Sequence, residues 1–454
     1  MSDRMRRLLS LTAFYGSFVF LQLTVLGLGN RAGEGYLPTD QRELVYYAIQ
    51  VFVILGYWSY ALARRVSRPE AFGRALQVAA LAVFFAGSAV LLAAKDSPFQ
   101  LAATFAAAFC LGCLGGAVYE RMSRSAAAGE RAAMAMGLSY AAVILLQYLL
   151  QLRWGVTPAL PVFMLAAFVV LAGFLLRRER TGPAGPSTEA SPRALLFALL
   201  TAAILLLFSG FYNSYIHHLQ VASGYTDYNV YTWPRLMLIP GCLFFGAIGD
   251  RQGGRLVPVS AVCVALAALL NAALVGSGGA YRLNMCLFYI ALSGALSYYN
   301  LAFWRLAQGT RWPALWASMG RMLDSGVVLI TFALGLPGLP APAILAIDVA
   351  GLAAVILLLA LGGQFSAPAP AKPSSADPET ALAAMRERYG LTNRETEVLR
   401  ELVRTEDKQT AIAARLGVSE KTIQFHTTAL YRKTGAGTRA GLCELYFTAV
   451  RELS

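Results

Sequence analysis

Charged residues are scarce in this chain. Lys, Arg, Asp and Glu make up 14% of its 454 residues, whereas hydrophobic residues make up 57%, and the mean hydropathy is +0.55. A typical soluble domain carries about 25% charged residues, so a water-soluble fold is excluded for most of this sequence. Acidic residues are scarcer than basic ones, with 25 Asp and Glu against 38 Lys and Arg.

Cysteine and histidine are also few, with six and three residues. Five of the cysteines lie inside apolar runs, where a thiol behaves as a small hydrophobic group. Cys110 and Cys113 form a C-x-x-C pair without a second pair or nearby histidines, so we predict neither a metal site nor a disulfide framework. A P-loop, a catalytic cluster and a cofactor motif are absent as well. We therefore expect a protein that is not an enzyme and binds no cofactor.

The sequence contains repeated long apolar runs instead. Crossing a bilayer as a helix takes about 20 apolar residues, and the hydropathy pattern indicates an all-α body in which the runs are membrane spans. Twelve spans are predicted, at 8–28, 43–63, 72–94, 99–119, 132–152, 157–176, 194–216, 229–249, 255–275, 281–303, 320–336 and 342–362.

The connections between these runs alternate in basic content, as the positive-inside rule requires of cytoplasmic and external loops. Nineteen arginines fall in one set of connections and five basic residues in the other. We therefore predict a multi-pass protein of the bacterial cytoplasmic (inner) membrane with both termini in the cytoplasm. The richer set ends with Arg305, Arg311 and Arg321, which are assigned to the loop between spans 10 and 11.

The longest internal connection, 177–193, divides the body (1–362) into halves at 1–176 and 194–362, a 6+6 arrangement typical of two-bundle transporters. Between predicted spans 8 and 9 stand Gly246, Asp250, Arg251, Gly253 and Arg255. This loop resembles the G-x-L-x-D-R-x-G-R-R motif of the major facilitator superfamily. The resemblance implies that its acidic and basic residues hold cytoplasmic helix ends together. The corresponding loop of the first half, 63–68, contains no aspartate.

Polar and aromatic residues inside the spans are candidates for ligand contacts, because such residues are costly in lipid. We name Arg235, which follows a proline in span 8, together with Tyr231, Trp233, Tyr299 and Asn300. Snorkelling, an internal salt bridge and an interfacial aromatic belt remain alternatives for these residues. Asp324 is either interfacial or paired with an arginine, and the same holds for Asp348.

The C-terminal part has a different composition. Residues 363–380 are rich in Pro, Ser and Ala and are predicted to form a flexible linker. After it, 381–454 is predicted to be a soluble four-helix domain. Thr392 and Glu395 form a T-x-x-E capping box at the start of one helix. Gly417, Val418 and Ser419 provide the tight turn of a helix-turn-helix, with Ser419 capping the helix that begins at Glu420.

A longer set of residues with characteristic spacing spans about sixty positions of this domain: Leu391, Thr392, Arg394, Glu395, Glu397, Val398, Leu399, Ile412, Ala413, Leu416, Val418, Ser419, Thr422, Ile423, His426, Tyr431, Lys433, Thr438 and Arg439. This set resembles the LuxR-type helix-turn-helix family, and the resemblance implies binding to double-stranded DNA. The resemblance also implies a homodimer formed through the last helix. The family often has lysine in place of Gln424 and leucine in place of Thr427 and Thr434, and these departures predict weak binding by a monomer.

Helical spacing places Ile423 and Leu430 toward the domain core. The opposite face then carries Lys421, Gln424, Phe425, Thr428 and Arg432, which we predict to enter the major groove. Gln424 suits an adenine edge, Phe425 a thymine methyl group, and Lys421 and Arg432 phosphates.

These features together predict a membrane-bound, one-component transcription regulator, in which a transporter-like body in the lipid bilayer senses a small molecule of unknown identity and the C-terminal domain binds DNA. Two alternatives remain open. One is a secondary transporter with a regulatory cytoplasmic domain, and the other is an interaction module that no longer binds DNA.

Overall fold

The computed structural model describes residues 3–334 with gaps at 30–36, 67, 94–97, 155–158, 178–189, 224–232, 252–259 and 261–277, some residues between 340 and 357, and 378–453 except 406 and 408. Every element in these ranges is helical. They belong to two compact units, Met1–Ala367 and Pro368–Ser454. The predicted all-α class is therefore confirmed for the described part of the chain.

The first unit contains ten described α-helices and one 3-10 helix. Its elements are α1 (Asp3–Gly29), α2 (Thr39–Ala63), α3 (Pro69–Ala93), α4 (Pro98–Ala127), α5 (Ala132–Trp154), α6 (Ala159–Leu176), α7 (Pro192–Ser223), a 3-10 turn (Trp233–Met237), α8 (Leu238–Arg251), α9 (Gly278–Ala307) and α10 (Pro313–Ala333).

Seven helices in the described residues are long and apolar enough to cross a membrane. They are Arg4–Gly29, Leu44–Ala63, Pro69–Ala93, Pro98–Ala127, Ala132–Leu150, Ala159–Leu176 and Met285–Ala307. They coincide with predicted spans 1 to 6 and 10, and indicate a membrane protein. Predicted span 9 except Ser260, and about half of span 12, including Asp348, lie outside the described residues. The twelve-span count thus stays a prediction.

Two helices begin at other places than the hydropathy pattern suggested. Span 8 is divided into the 3-10 turn Trp233–Met237 and α8, because Pro234 fixes its backbone angle and donates no hydrogen bond. α10 starts at Pro313, seven residues before predicted span 11. Arg321 therefore does not belong to a loop. It lies in the third turn of α10, where it pairs with Asp324 at 2.6 Å.

Close packing between helices depends on glycine at one contact in particular. α2 and α4 meet at Gly56 and Gly112, and a Cβ on Gly112 would lie 2.2 Å from the Val53 carbonyl oxygen. A Cβ on Gly56 would lie 2.1 Å from the Phe109 carbonyl oxygen. Small residues that let two backbones approach are a common basis of helix association in membranes. No other side chain fits at either position without separating the helices.

A buried carboxylate joins the same two helices near one end. Glu120 of α4 accepts hydrogen bonds from Arg124 (2.6 Å), Tyr60 (2.7 Å) and Arg64 (3.2 Å). Arg64 also pairs with Glu70 of α3 at 3.0 Å. The 63–68 loop has no aspartate, and the acids that pair with its arginine come from α3 and α4. This contact could not be read from local spacing.

The second unit contains five described helices, one more than the sequence predicted. They are α11 (Pro378–Tyr389), α12 (Asn393–Arg404), α13 (Gln409–Leu416), α14 (Glu420–Thr434) and α15 (Arg439–Leu453). The unit has its own hydrophobic core, which includes Leu382, Met385, Leu399, Ile423 and Leu442. The start of α11, residues 378–380, was assigned to the linker because 363–380 is rich in Pro, Ser and Ala. It is held in place by burial of Leu382 and Met385 and by packing on α15.

Candidate nucleic-acid interface

The turn between α13 and α14 sets the direction of α14. Gly417 has φ of +63°, a left-handed conformation that favours glycine, and the Val418 N–H donates to the Ala413 carbonyl at 3.1 Å. Ser419 then accepts a hydrogen bond from the Thr422 N–H at 3.2 Å and caps α14. The predicted helix-turn-helix turn and its serine cap are confirmed.

The five predicted contact residues all lie on the exposed face of α14. Lys421, Gln424, Phe425, Thr428 and Arg432 are exposed, and the Phe425 side chain is the extreme case, with 72% of the residue accessible. Large aromatic side chains are rarely left so exposed in a soluble domain. The Thr428 hydroxyl donates to the Gln424 carbonyl at 2.9 Å, and its oxygen can still accept a hydrogen bond. The geometry suits contact with a partner surface, and the DNA contacts themselves remain a prediction.

The inward face of α14 consists of Ile423, Thr427 and Leu430, all buried. Ile423 and Leu430 lie in the core as predicted. Thr427 is buried as well, and among the described residues its hydroxyl oxygen has no hydrogen-bond partner. Thr434 donates to the Leu430 carbonyl at 2.7 Å. Both threonines therefore place a hydroxyl where a leucine would pack. The Thr434 hydroxyl bonds to its own helix, and the Thr427 hydroxyl has no partner among the described residues.

A capping box and a lysine connect α12 to the end of α14. Thr392 accepts from the Glu395 N–H at 3.3 Å, and Glu395 accepts from the Thr392 N–H at 2.7 Å, so the predicted capping box is confirmed. The Glu395 carboxylate also accepts from Lys433 Nζ at 2.7 Å. Burial alone would raise the pKa of Glu395, but the hydrogen bonds from Lys433 and Thr392 outweigh it and hold the pKa below its ordinary value.

Arg439 stabilises the loop that follows α12. Its guanidinium donates to the carbonyl of Leu402 at 2.9 and 3.0 Å, to that of Asp407 at 2.7 Å, and to that of Thr405. A helix end leaves carbonyl groups without partners, and one arginine satisfies them here. The sequence placed Arg439 in the motif but gave no role for it, since only the folded chain brings 402–407 next to it.

Residues 390–445 match the family model described as GerE, bacterial regulatory proteins, luxR family. This segment is a LuxR-type helix-turn-helix domain. The match includes α12, α13, α14 and the start of α15 and leaves α11 outside. A search of curated proteins finds no match to this chain. The family consists of DNA-binding regulators, so the exposed face of α14 in the LuxR-type domain is the expected DNA-binding surface.

The LuxR-type domain is only weakly basic. Residues 381–454 contain twelve Lys and Arg against nine Asp and Glu. Eight of these acids and bases form ion pairs among the described residues of the second unit. Arg415, for example, pairs with Asp407 at 2.5 Å and with Glu401 at 3.1 Å. Lys421 and Arg432 form no ion pair among the described residues. They are thus the cations of α14 that remain available for phosphates.

The residues proposed for ligand contact in the first unit differ in their surroundings. Tyr231 lies outside the described residues. Trp233 is 44% exposed, and Arg235 is half-buried in the 3-10 turn. Asn300 is buried and donates to the Leu296 carbonyl of its own helix at 2.9 Å. Tyr299 is buried and accepts from Arg321 Nη1 at 3.2 Å. Sequence reasoning did not identify Arg321 as the partner of Tyr299, because Arg321 had been assigned to a loop.

The described part of the loop motif contacts another helix end. The Asp250 carboxylate accepts the backbone N–H groups of Ala133 (3.0 Å) and Met134 (2.9 Å) at the start of α5. A carboxylate at a helix N-terminus is favoured by the helix dipole. Gly246 lies in α8 against the Ala133 carbonyl. Arg251 ends α8, and Gly253 and Arg255 lie outside the described residues. The resemblance to the major facilitator superfamily stays a prediction.

Proposed function

We propose that this protein is a membrane-bound, one-component transcription regulator of the bacterial inner membrane. The observation that carries the proposal is the occurrence on one chain of a LuxR-type helix-turn-helix domain and seven helices apolar enough to span a bilayer. A DNA-binding domain that is covalently attached to a membrane domain responds to events at the membrane without a diffusing messenger. The body senses a small molecule, and the LuxR-type domain binds operator DNA.

The recognition step follows from the α14 face. Gln424, Phe425 and Thr428 contact base edges, and Lys421 and Arg432 neutralise phosphates. Two cations on one helix supply little sequence-independent affinity. Binding therefore depends on two copies of the domain, which pair through α15, and on the high local concentration that membrane attachment provides.

The proposal is tested by mapping where the full-length protein crosslinks to the genome. A variant with Gln424, Phe425 and Thr428 all changed to alanine removes the base contacts and, because all three side chains are exposed, keeps the fold. A matched control changes Arg386 and Glu387, exposed residues of α11, to alanine. We expect discrete peaks for the wild type and the control and none for the triple variant.

Peaks that persist in the triple variant would contradict the assigned DNA face. The absence of peaks in all three proteins would contradict DNA binding and would favour the interaction-module alternative. Cell fractionation supplies the second half of the test, because a protein recovered from the soluble fraction after high-salt washing would contradict membrane insertion.

A further inference from the structure

A cluster of tyrosines surrounds one arginine inside the first unit. Tyr119 of α4 and Tyr140 of α5 each lie eight residues from the turn that joins their helices. Tyr299 of α9 and Arg321 of α10 each lie eight residues from the turn that joins theirs. With a rise of about 1.5 Å per residue, all four lie in one layer about 12 Å from these helix ends. Tyr15 of α1 and Tyr57 of α2 complete the layer.

The rings of the cluster are in mutual contact. Tyr15 and Trp304 have ring centroids 5.5 Å apart, and Tyr119 lies 5.9 Å from both Tyr57 and Trp304. All four side chains are at most 1% exposed. The Arg321 guanidinium interacts electrostatically with Tyr57, Tyr119 and Tyr299. The layer is therefore aromatic at its walls and positively charged at one point.

Polar groups in this layer are incompletely hydrogen-bonded. Among the described residues the hydroxyls of Tyr15, Tyr57 and Tyr119, the indole N–H of Trp304 and Nε of Arg321 are buried without a hydrogen bond of normal geometry. Buried polar groups are nearly always satisfied in native proteins. The hydroxyls interact with one another, Tyr15 with Tyr140 and Tyr57 with Tyr119 and Arg321. The indole N–H of Trp304 and Nε of Arg321 are left without a partner among the described residues. Both groups only donate hydrogen bonds, so a ligand that suits this layer offers acceptors.

Arg321 presents one side of its guanidinium to this layer. Its two hydrogen bonds of normal geometry, to Asp324 at 2.6 Å and to Tyr299 at 3.2 Å, both leave from Nη1. The Nε edge remains, which is the edge that arginine uses in paired hydrogen bonds to a carboxylate. The side chains of Arg321 and Asp324 are 15% and 32% exposed, so this pair is the accessible side of an otherwise closed cluster.

We propose that this layer is the binding site for a small aromatic carboxylate. The carboxylate lies on the Nε edge of Arg321 and accepts hydrogen bonds from Tyr57 and Tyr119, and its ring packs among Tyr15 and Trp304. The hydroxyls are closed to solvent in the present conformation, so entry of the ligand requires the surrounding helices to separate. A ligand that binds only the opened arrangement shifts the equilibrium toward it.

This inference deepens the proposed function, on which it rests, by naming the site and the ligand class of the sensing body. It involves six helices, α1, α2, α4, α5, α9 and α10. Opening of the layer would therefore move much of the first unit at once, as a sensor of this kind requires.

Thermal unfolding of the purified full-length protein in lipid nanodiscs tests the site without reference to DNA. The probes are sodium benzoate and 4-hydroxybenzoate at millimolar concentration, with benzamide and 4-hydroxybenzamide as neutral counterparts and sodium chloride at equal ionic strength. A ligand that binds the folded state raises the midpoint as its concentration exceeds Kd. We expect the carboxylates to raise the midpoint and the amides and chloride to leave it unchanged.

Three variants locate the binding. Arg321→Gln removes the charge and is expected to abolish the carboxylate-dependent rise, whereas Arg311→Gln, at an exposed position, retains it. Tyr119→Phe removes one hydroxyl and keeps the ring, and is expected to weaken carboxylate binding about tenfold, since a hydrogen bond to a charged group is lost. Tyr298→Phe is its control, because Tyr298 is also buried on α9 and its hydroxyl interacts with Thr201 of α7.

Several results would overturn the inference: a midpoint rise in chloride alone, equal effects of amides and carboxylates, no effect of any carboxylate, or an undiminished effect in Arg321→Gln. If Arg321→Gln does not fold, the carboxylate-dependent midpoint rises of Tyr119→Phe and Tyr298→Phe are compared, and equal rises would refute the site. If no carboxylate binds but the genome peaks are present, only the proposed ligand site is refuted. If carboxylates bind but no genome peaks are found, the proposed transcriptional function is refuted and the ligand site is supported.

Discussion

Replacing Lys433 with methionine tests how the LuxR-type domain holds the end of α14. Lys433 donates to the Glu395 carboxylate at 2.7 Å and to the Gly390 carbonyl at 3.0 Å. Methionine keeps the length and apolar stem of the side chain and removes the ammonium group. The Glu395 side chain, which is 7% exposed, would keep the Thr392 N–H as a partner and lose its counter-charge.

The expected loss of stability is about 2 kcal/mol. Removing one partner of a fully buried ion pair costs about 3–5 kcal/mol. The Lys433 side chain is 27% exposed, so water compensates part of the lost interaction and the smaller value applies. A domain of this size changes its Tm by about 4–8 °C per kcal/mol, which gives a decrease of roughly 10 °C. The control is Arg394→Met, which breaks an exposed pair with Glu397 and is expected to cost less than about 1 kcal/mol.

Urea unfolding of the fragment 368–454, which has its own core, measures both variants. The pH dependence gives a second test. The pKa of Glu395 in the folded domain is below its ordinary value of 4.5, so the pair contributes fully above pH 4.5 and its contribution is lost as pH falls through the folded pKa. The difference between wild type and Lys433→Met should therefore shrink in acid. A variant as stable as the wild type at neutral pH would refute the reasoning.

Three further outcomes are expected. Lys421→Gln should reduce the slope of log affinity against log salt for DNA by about one, measured by fluorescence anisotropy, and an unchanged slope would exclude a phosphate contact. Ser419→Ala should destabilise fragment 368–454 by about 1 kcal/mol through loss of the α14 cap; unfolding at unchanged urea concentration would contradict this. Gly112→Ala should lower the Tm of the full-length protein, because its Cβ would meet the Val53 carbonyl at 2.2 Å, whereas Gly27→Ala, with nothing within 4 Å, should not.

Short-range features of the second unit could be predicted from the sequence. The Thr392–Glu395 box, the Ser419 cap and the exposed face of α14 depend on residues within one or two helical turns, and helical geometry fixes their relative positions. α11 was only partly predicted, because its few apolar residues gain stability from α15 and not from their own helix. Thr427 was expected to make the core more polar, but that its hydroxyl lacks a partner among the described residues required the folded domain.

The amino-acid sequence by itself determined the apolar character of the body, seven of its helices and the LuxR-type domain, because hydropathy, helical period and capping act over neighbouring residues. Only the tertiary structure decided what Arg321, Glu120 and Asp250 contact. Arg321 was counted as a loop cation from its charge, whereas its partner Tyr299 comes from another helix and its place in an aromatic layer depends on six helices. Side chains brought together from distant parts of the chain leave no periodic pattern, so the packed fold alone assigns their roles.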